Sequence, residues 1–145
     1  MNHLKKFSIL VAEDDEDDRL LLQTAFNEDG YRDDVEFVMN GVELMTRLNS
    51  PANPVAIRNL PSLILLDLNM PRKGGWEALI EIKASNALKK IPVIIFSAAE
   101  NTSEIKRCYE SGANSYIVKP NSYTGLLKIV QNLKNFWCYT ASIPA

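Results

Sequence analysis

The sequence predicts a doubly wound α/β domain, one parallel sheet with helices on both faces, and three observations carry that expectation. Short and nearly unbroken apolar runs recur along the chain, as in strands buried on both faces. Segments with apolar residues at helical spacing separate them, and every parallel crossover needs such a helix. The chain has 145 residues, 46% of them apolar and 23% charged, which is enough for one core without staples.

The elements follow in order. Phe7 to Ala12 (FSILVA) is an apolar run that stops abruptly at acidic residues, a buried strand. Glu16 to Glu28 carries Leu20, Leu21, Leu22, Ala25 and Phe26 in a wide helical stripe, and Gly30 ends it. Val35 to Met39 alternates like a more exposed strand, and Val42, Leu44, Met45 and Leu48 mark a short helix. Asn49 to Pro61, rich in proline and asparagine, reads as a loop. Ser62 to Leu66 (SLILL) is the most hydrophobic strand candidate. Trp76, Leu79, Ile80 and Lys83 then place a helix after Gly74 and Gly75. Ile91 to Phe96 (IPVIIF) is a further strand, with Pro92 near its start, where a missing N–H is tolerated. Asn101 caps the next helix with Glu104 three residues on; Ile105, Cys108 and Tyr109 form its inner face, and Gly112 closes it. Ser115 to Val118 is a short strand. Ser122 to Trp137 is a last helix with Leu126, Ile129, Val130, Leu133, Phe136 and Trp137 inward.

Composition removes several functions. Sixteen basic against eighteen acidic residues give a net charge of −2, which argues against a nucleic-acid binder. No apolar run approaches the ~18 residues that span a membrane, and Ser8 to Ala12 is too short for a signal-peptide core. Cys108 and Cys138 have no metal or disulfide spacing and read as small hydrophobes of a reducing cytoplasm. The single His3, near a terminus, makes a Ser–His or Cys–His hydrolase improbable.

In an open parallel sheet, ligands bind beyond the carboxyl ends of the strands. Glu13 and Asp14 follow the first apolar run, Asp67 and Asn69 the third, Ser97 the fourth, and Lys119-Pro120 the fifth. All therefore fall on one end of one sheet. The acidic run from Glu13 to Asp18 reads on its own as a solvated helix N-terminus, where carboxylates complement the dipole. That accounts for Glu16, Asp17 and Asp18, and less well for Glu13 and Asp14, which lie at the strand end. Three carboxylates there repel one another unless a cation joins them, and such oxygen ligands suit Mg²⁺.

The segments VAEDD (11–15), LLDLNMP (65–71), IIFSA (94–98) and YIVKP (116–120) resemble the four landmarks of a response-regulator receiver domain, from Phe7 to about Trp137. The resemblance implies the strand order 2-1-3-4-5 of the flavodoxin-like fold. It implies that Asp67 accepts a phosphoryl group, that Asp14 holds Mg²⁺ directly and Glu13 through water, and that the Asn69 carbonyl completes the metal shell. It makes Lys119 and Ser97 the groups that receive phosphoryl oxygens, and Tyr116, with Ser97, the switch. It also implies a cis peptide at Lys119-Pro120. The implied partners are a sensor histidine kinase or phosphotransfer protein and a downstream protein, with neither nucleic acid nor membrane. Within the family, the 49–61 loop and DLNMPRK are similar to regulators paired with phytochrome-type kinases. Gly74, where Asp is common, the long loop and the extended chain end depart from the usual pattern.

The expected layout is a receiver over 1–138 and a short tail over 139–145. Phe136, Trp137 and Tyr139 either lie exposed, as a contact patch for a two-fold homodimer, or fold back over the sheet edge. Two other classes compete. A haloacid-dehalogenase-type phosphohydrolase also places a nucleophilic Asp after a strand, but as DxD, and Asn69 stands at the second position here. A flavodoxin-type electron carrier shares the topology, but no Gly/Ser/Thr-rich phosphate loop follows the first strand.

Overall fold

The computed structural model describes residues 7–30, 35–49 and 60–142. Its elements alternate: β1 (Ile9–Ala12), α1 (Glu16–Glu28), β2 (Val35–Val38), α2 (Gly41–Leu48), β3 (Leu63–Leu66), α3 (Gly75–Ala84), β4 (Val93–Ser97), α4 (Thr102–Glu110), β5 (Ser115–Val118) and α5 (Tyr123–Leu133). The strands form one sheet in the order β2-β1-β3-β4-β5, and every pair is parallel. The doubly wound arrangement expected from the sequence is therefore the observed one.

Period-two alternation divides the core. Leu10, Ala12, Ile64, Leu66, Val93 and Ile95 face one side of the sheet and pack with Leu44, Met45, Leu79, Ile82 and Cys108 of α2, α3 and α4. Ile9, Val11, Leu63, Leu65, Ile94 and Phe96 face the other side and pack with Leu22, Ala25 and Phe26 of α1 and Leu126, Val130 and Leu133 of α5. Because β1, β3 and β4 are covered on both faces, they read as continuous apolar runs.

Helix ends follow the signals in the sequence. The Asn101 side chain accepts from the Glu104 amide at 3.0 Å, as expected, and Asn40 caps α2 in the same way at 2.8 Å. Gly30 and Gly112 terminate α1 and α4 at φ +86° and +105°, a left-handed conformation that side chains disfavour.

Four expectations are corrected. Leu20 and Leu21 are 65% and 45% exposed, and Ile80 is also exposed, because only one side of each helix meets the sheet. Tyr109 is exposed as well, with its hydroxyl at the rim of the sheet, where it accepts from the Tyr116 amide at 3.1 Å. The last helix does not run regularly to Trp137: beyond Leu133 it widens into a π-helix over Lys134–Thr140, so Tyr139 and Thr140 are helical rather than tail. The widening turns Phe136 (52% exposed) and Tyr139 (70% exposed) outward, while Trp137 stays half-buried against α5 and the sheet. Finally, no described peptide bond is cis, so Lys119-Pro120 is trans, the form X–Pro bonds also prefer. The expected loop lies mostly outside the described residues.

Candidate phosphoryl and metal site

The ladders continue one residue past the strands, and this aligns the polar groups. The Glu13 amide donates to Val38 O, the Asp67 amide to Ala12 O, and the Lys119 amide to Ser97 O, at 2.9–3.0 Å. Since Ala12 pairs with Leu66, the next residues, Glu13 and Asp67, emerge side by side. One carboxylate oxygen from each of Glu13, Asp14 and Asp67 lies within 4.8 Å of the others. Glu13 and Asp67 are buried, and Asp14 is exposed at the mouth.

Lys119 closes the site. Its ammonium lies 2.7 Å from Glu13 Oε1, 3.0 Å from Asp18 Oδ2 and 3.4 Å from Asp67 Oδ2. The other Asp67 oxygen, Oδ1, accepts from the Asn69 amide at 3.3 Å. Glu13 Oε2 accepts from the Asp15 amide at 3.2 Å, whereas Glu13 Oε1 is buried, and the Lys119 ammonium beside it is poorly angled for a hydrogen bond.

These surroundings set the protonation. Burial drives the Glu13 carboxyl up to about 7; the Lys119 ammonium pulls the other way, and the charge on Asp67 reinforces the rise. Burial alone would lower the Lys119 pKa, but Glu13, Asp18 and Asp67 together outweigh it and hold the ammonium charged. The donor set fits a hard divalent cation: three convergent carboxylates share one ammonium, and a buried carboxylate oxygen lacks a well-aligned donor.

Ser97 is fully buried at the end of β4, and its hydroxyl accepts from the Ala99 amide at 3.2 Å. Tyr116 on β5 is already turned inward, packed on the α2–α4 side of the core, with its hydroxyl donating to Ala99 O at 2.6 Å. The inward seat is stable in this conformation because Ala99 O supplies an acceptor and the core supplies apolar walls. Burial raises the phenol pKa, and the neighbouring Ser97 hydroxyl opposes that.

The loop after Asp67 approaches so closely that Gly75 is required. A Cβ at Gly75 would sit 2.1 Å from Asp67 O, and one at Gly41 would sit 2.3 Å from Lys73 O. Two residues at the site were missed by sequence reasoning. The Arg19 guanidinium donates to the carbonyls of Glu13 and Asp14, both at 2.9 Å, and so ties down the turn that carries the two acids. The second is Asp18, which the sequence alone places only in a solvated helix start. It stands four residues before Leu22 and eight before Phe26, so it continues the buried stripe of α1, and that spacing was the available signal.

Comparison with known proteins agrees with the geometry. The family model for the response regulator receiver domain matches residues 9–131. The response regulator Rcp1 of Synechocystis is 34% identical over 144 residues, covering 94% of this chain and 92% of that protein. A probable methanogenesis regulatory protein, FilR2, of Methanothrix harundinacea is 32% identical over 131 residues, covering 90% and 83%. The crystal structure of the phosphorylated cyanobacterial phytochrome response regulator RcpA superposes with a TM-score of 0.88 at 36% identity, covering 97% of this chain and all of that one. The Mn²⁺-bound form of Rcp1 gives a TM-score of 0.81 at 34% identity, covering 97% and 100%. With the strand order, the acidic cluster and the lysine in place, the chain belongs to the response regulator receiver domains.

Proposed function

We propose that this receiver takes a phosphoryl group from a histidine of a sensor kinase or phosphotransfer protein onto Asp67, in a Mg²⁺-dependent reaction, and signals through altered contacts with another protein. The observation that carries this reading is the convergence of Glu13, Asp14 and Asp67 within 4.8 Å, with the Lys119 ammonium 3.4 Å from Asp67. In the transfer, an Asp67 oxygen bonds to phosphorus as the phosphorus–nitrogen bond breaks, and the imidazole leaves with that electron pair. Positioning and charge neutralisation dominate such steps. Lys119 neutralises one phosphoryl oxygen, the Ser97 hydroxyl donates to another, and the Asn69 amide orients Asp67. Glu13, Asp14 and Asp67, with the Asn69 carbonyl, would hold the cation, which when bound offsets phosphoryl charge.

The readout passes through Ser97 and Tyr116. A hydroxyl drawn toward a phosphoryl group changes the surroundings of the Tyr116 ring, and this biases the α4–β5–α5 face between two arrangements. Phe136 and Tyr139 are exposed, and Phe136 lines a groove of about 430 Å³ with Ile117, Leu133 and Trp137. We assign that groove to a second copy of the chain, in a two-fold homodimer tuned by phosphorylation. No helix among the described residues is long and apolar enough to cross a membrane, which accords with work in the cytoplasm. Nothing in the family match or the relatives favours the phosphohydrolase alternative.

The test is intact mass spectrometry after mixing with Mg²⁺ and acetyl phosphate. The parent should gain one phosphoryl mass and Asp67→Asn none, with the circular dichroism unchanged. A parent that stays unlabelled, or an Asp67→Asn variant labelled at the parent's rate, overturns the reading.

A further inference from the structure

Lys119 has more anionic partners than the acceptor chemistry asks for. An ammonium carries three N–H groups, and Glu13, Asp18 and Asp67 supply three carboxylates around it. The carboxylate of Asp67 is the most distant of the three, at 3.4 Å, and Asp18 is nearer, at 3.0 Å. Asp18 stands apart from the group of acids that converge for a cation, which comprises Glu13, Asp14 and Asp67. Its contact with Lys119 therefore does a separate job.

Asp18 is also the partner best able to let go. Its side chain is 39% exposed, against 2% for Glu13 and 6% for Asp67, so water can replace the ammonium at Asp18 alone. Its backbone is held in the first turn of α1, where its amide donates to Asp15 Oδ1 at 3.0 Å. Asp18 and Lys119 both line a cavity of about 220 Å³ with Phe96, Pro120 and Tyr123, which leaves the lysine side chain room to move.

We propose that Asp18 is a positioning residue that competes with Asp67 for the Lys119 ammonium in the unphosphorylated protein, leaving Asp67 only the longest of its contacts at 3.4 Å, and thereby slows loading of Asp67. An incoming phosphoryl oxygen must draw the ammonium away from Asp18, and an anionic donor must also approach past that carboxylate. The role rests on the proposed phospho-acceptor function and deepens it.

The experiment compares the parent with Asp18→Asn, Asp18→Glu and Asp17→Asn, where Asp17 is an exposed acid of the same turn that is not among the ion-pair partners of Lys119. The rate of phosphoryl gain from acetyl phosphate at saturating Mg²⁺ is followed by intact mass. Asp18→Asn should load about two- to fivefold faster, the scale of a partly exposed ion pair. Asp17→Asn and Asp18→Glu should stay near the parent. A metal-free readout accompanies it: in EDTA the side-chain ammonium resonance of Lys119 should shift in Asp18→Asn and not in Asp17→Asn. An Asp18→Asn rate equal to or below the parent's overturns the role, as does an equal gain in Asp17→Asn, which would reduce the effect to overall charge. An unmoved Lys119 resonance does the same. A parent that gains no phosphoryl mass removes the acceptor function itself, and the two failures are thereby told apart.

Discussion

Replacing Gly75 with alanine tests how tightly the loop after Asp67 is built. The new methyl would lie 2.1 Å from Asp67 O, 2.8 Å from Asp67 C and 2.8 Å from Leu68 Cα, all backbone atoms. Ordinary contact needs about 1 Å more, and no side chain can rotate away to provide it. Either α3 or the end of β3 must shift, and the 3.0 Å bond from the Gly75 amide to Leu68 O stretches with it. Overpacking of this kind costs ~1–3 kcal/mol. The weakened hydrogen bond costs about 1 kcal/mol more. Better helix propensity returns up to ~1 kcal/mol. The net expectation is a loss of about 1–3 kcal/mol, or roughly 4–12 °C in Tm for a chain of this length. The neighbour Gly74 is the control, because a methyl there comes close only to the end of the flexible Glu77 side chain, at 2.9 Å, with backbone no nearer than Leu68 O at an ordinary 3.7 Å. Gly74→Ala should cost less than ~1 kcal/mol, the scale of a cap substitution. Thermal melts of the three proteins, with acetyl phosphate labelling alongside, decide it. A Gly75→Ala melt within about 2 °C of the parent, or equal losses in both variants, would refute the steric argument. Labelling should also slow in Gly75→Ala, because the displaced carbonyl belongs to Asp67.

Two further expectations follow from the same geometry. The folded-state pKa of Glu13 is raised from 4.5 to about 7, so the folded protein binds the extra proton and apo stability should fall as pH rises between those values. Urea midpoints in EDTA from pH 5 to 8 should show that decline in the parent and a flatter profile in Glu13→Gln; parallel profiles would contradict it. At the α4 cap, Asn101→Ala removes the acceptor for the Glu104 amide and should cost about 1 kcal/mol in urea unfolding. A midpoint equal to the parent's would show that solvent replaces the cap.

The residue order alone sufficed for the sheet and for the edge on which the polar groups collect. Strands buried on both faces must be apolar throughout, so β1, β3 and β4 are unmistakable, and the first polar residue after each marks its carboxyl end. Glu13, Asp67 and Ser97 could be named together for that reason, and Lys119 follows the shorter, half-buried run of β5. The helix faces were less legible, because Leu20, Leu21 and Ile80 are apolar yet stand on the solvent side, and only the packing of α1 and α3 on the sheet decides which third of each helix is covered. The same limit hid the widening of the last helix, since the outward turn of Phe136 and Tyr139 is a matter of backbone winding rather than of apolar spacing. Tertiary structure alone also selected the partners of Lys119 and the inward seat of Tyr116. Asp18 and Lys119 are 101 residues apart in the chain, and they meet because the fold brings the first turn of α1 beside the residue that follows β5. Local pattern records which side of an element is apolar, but contacts between distant side chains exist only once the crossovers have placed those elements beside one another.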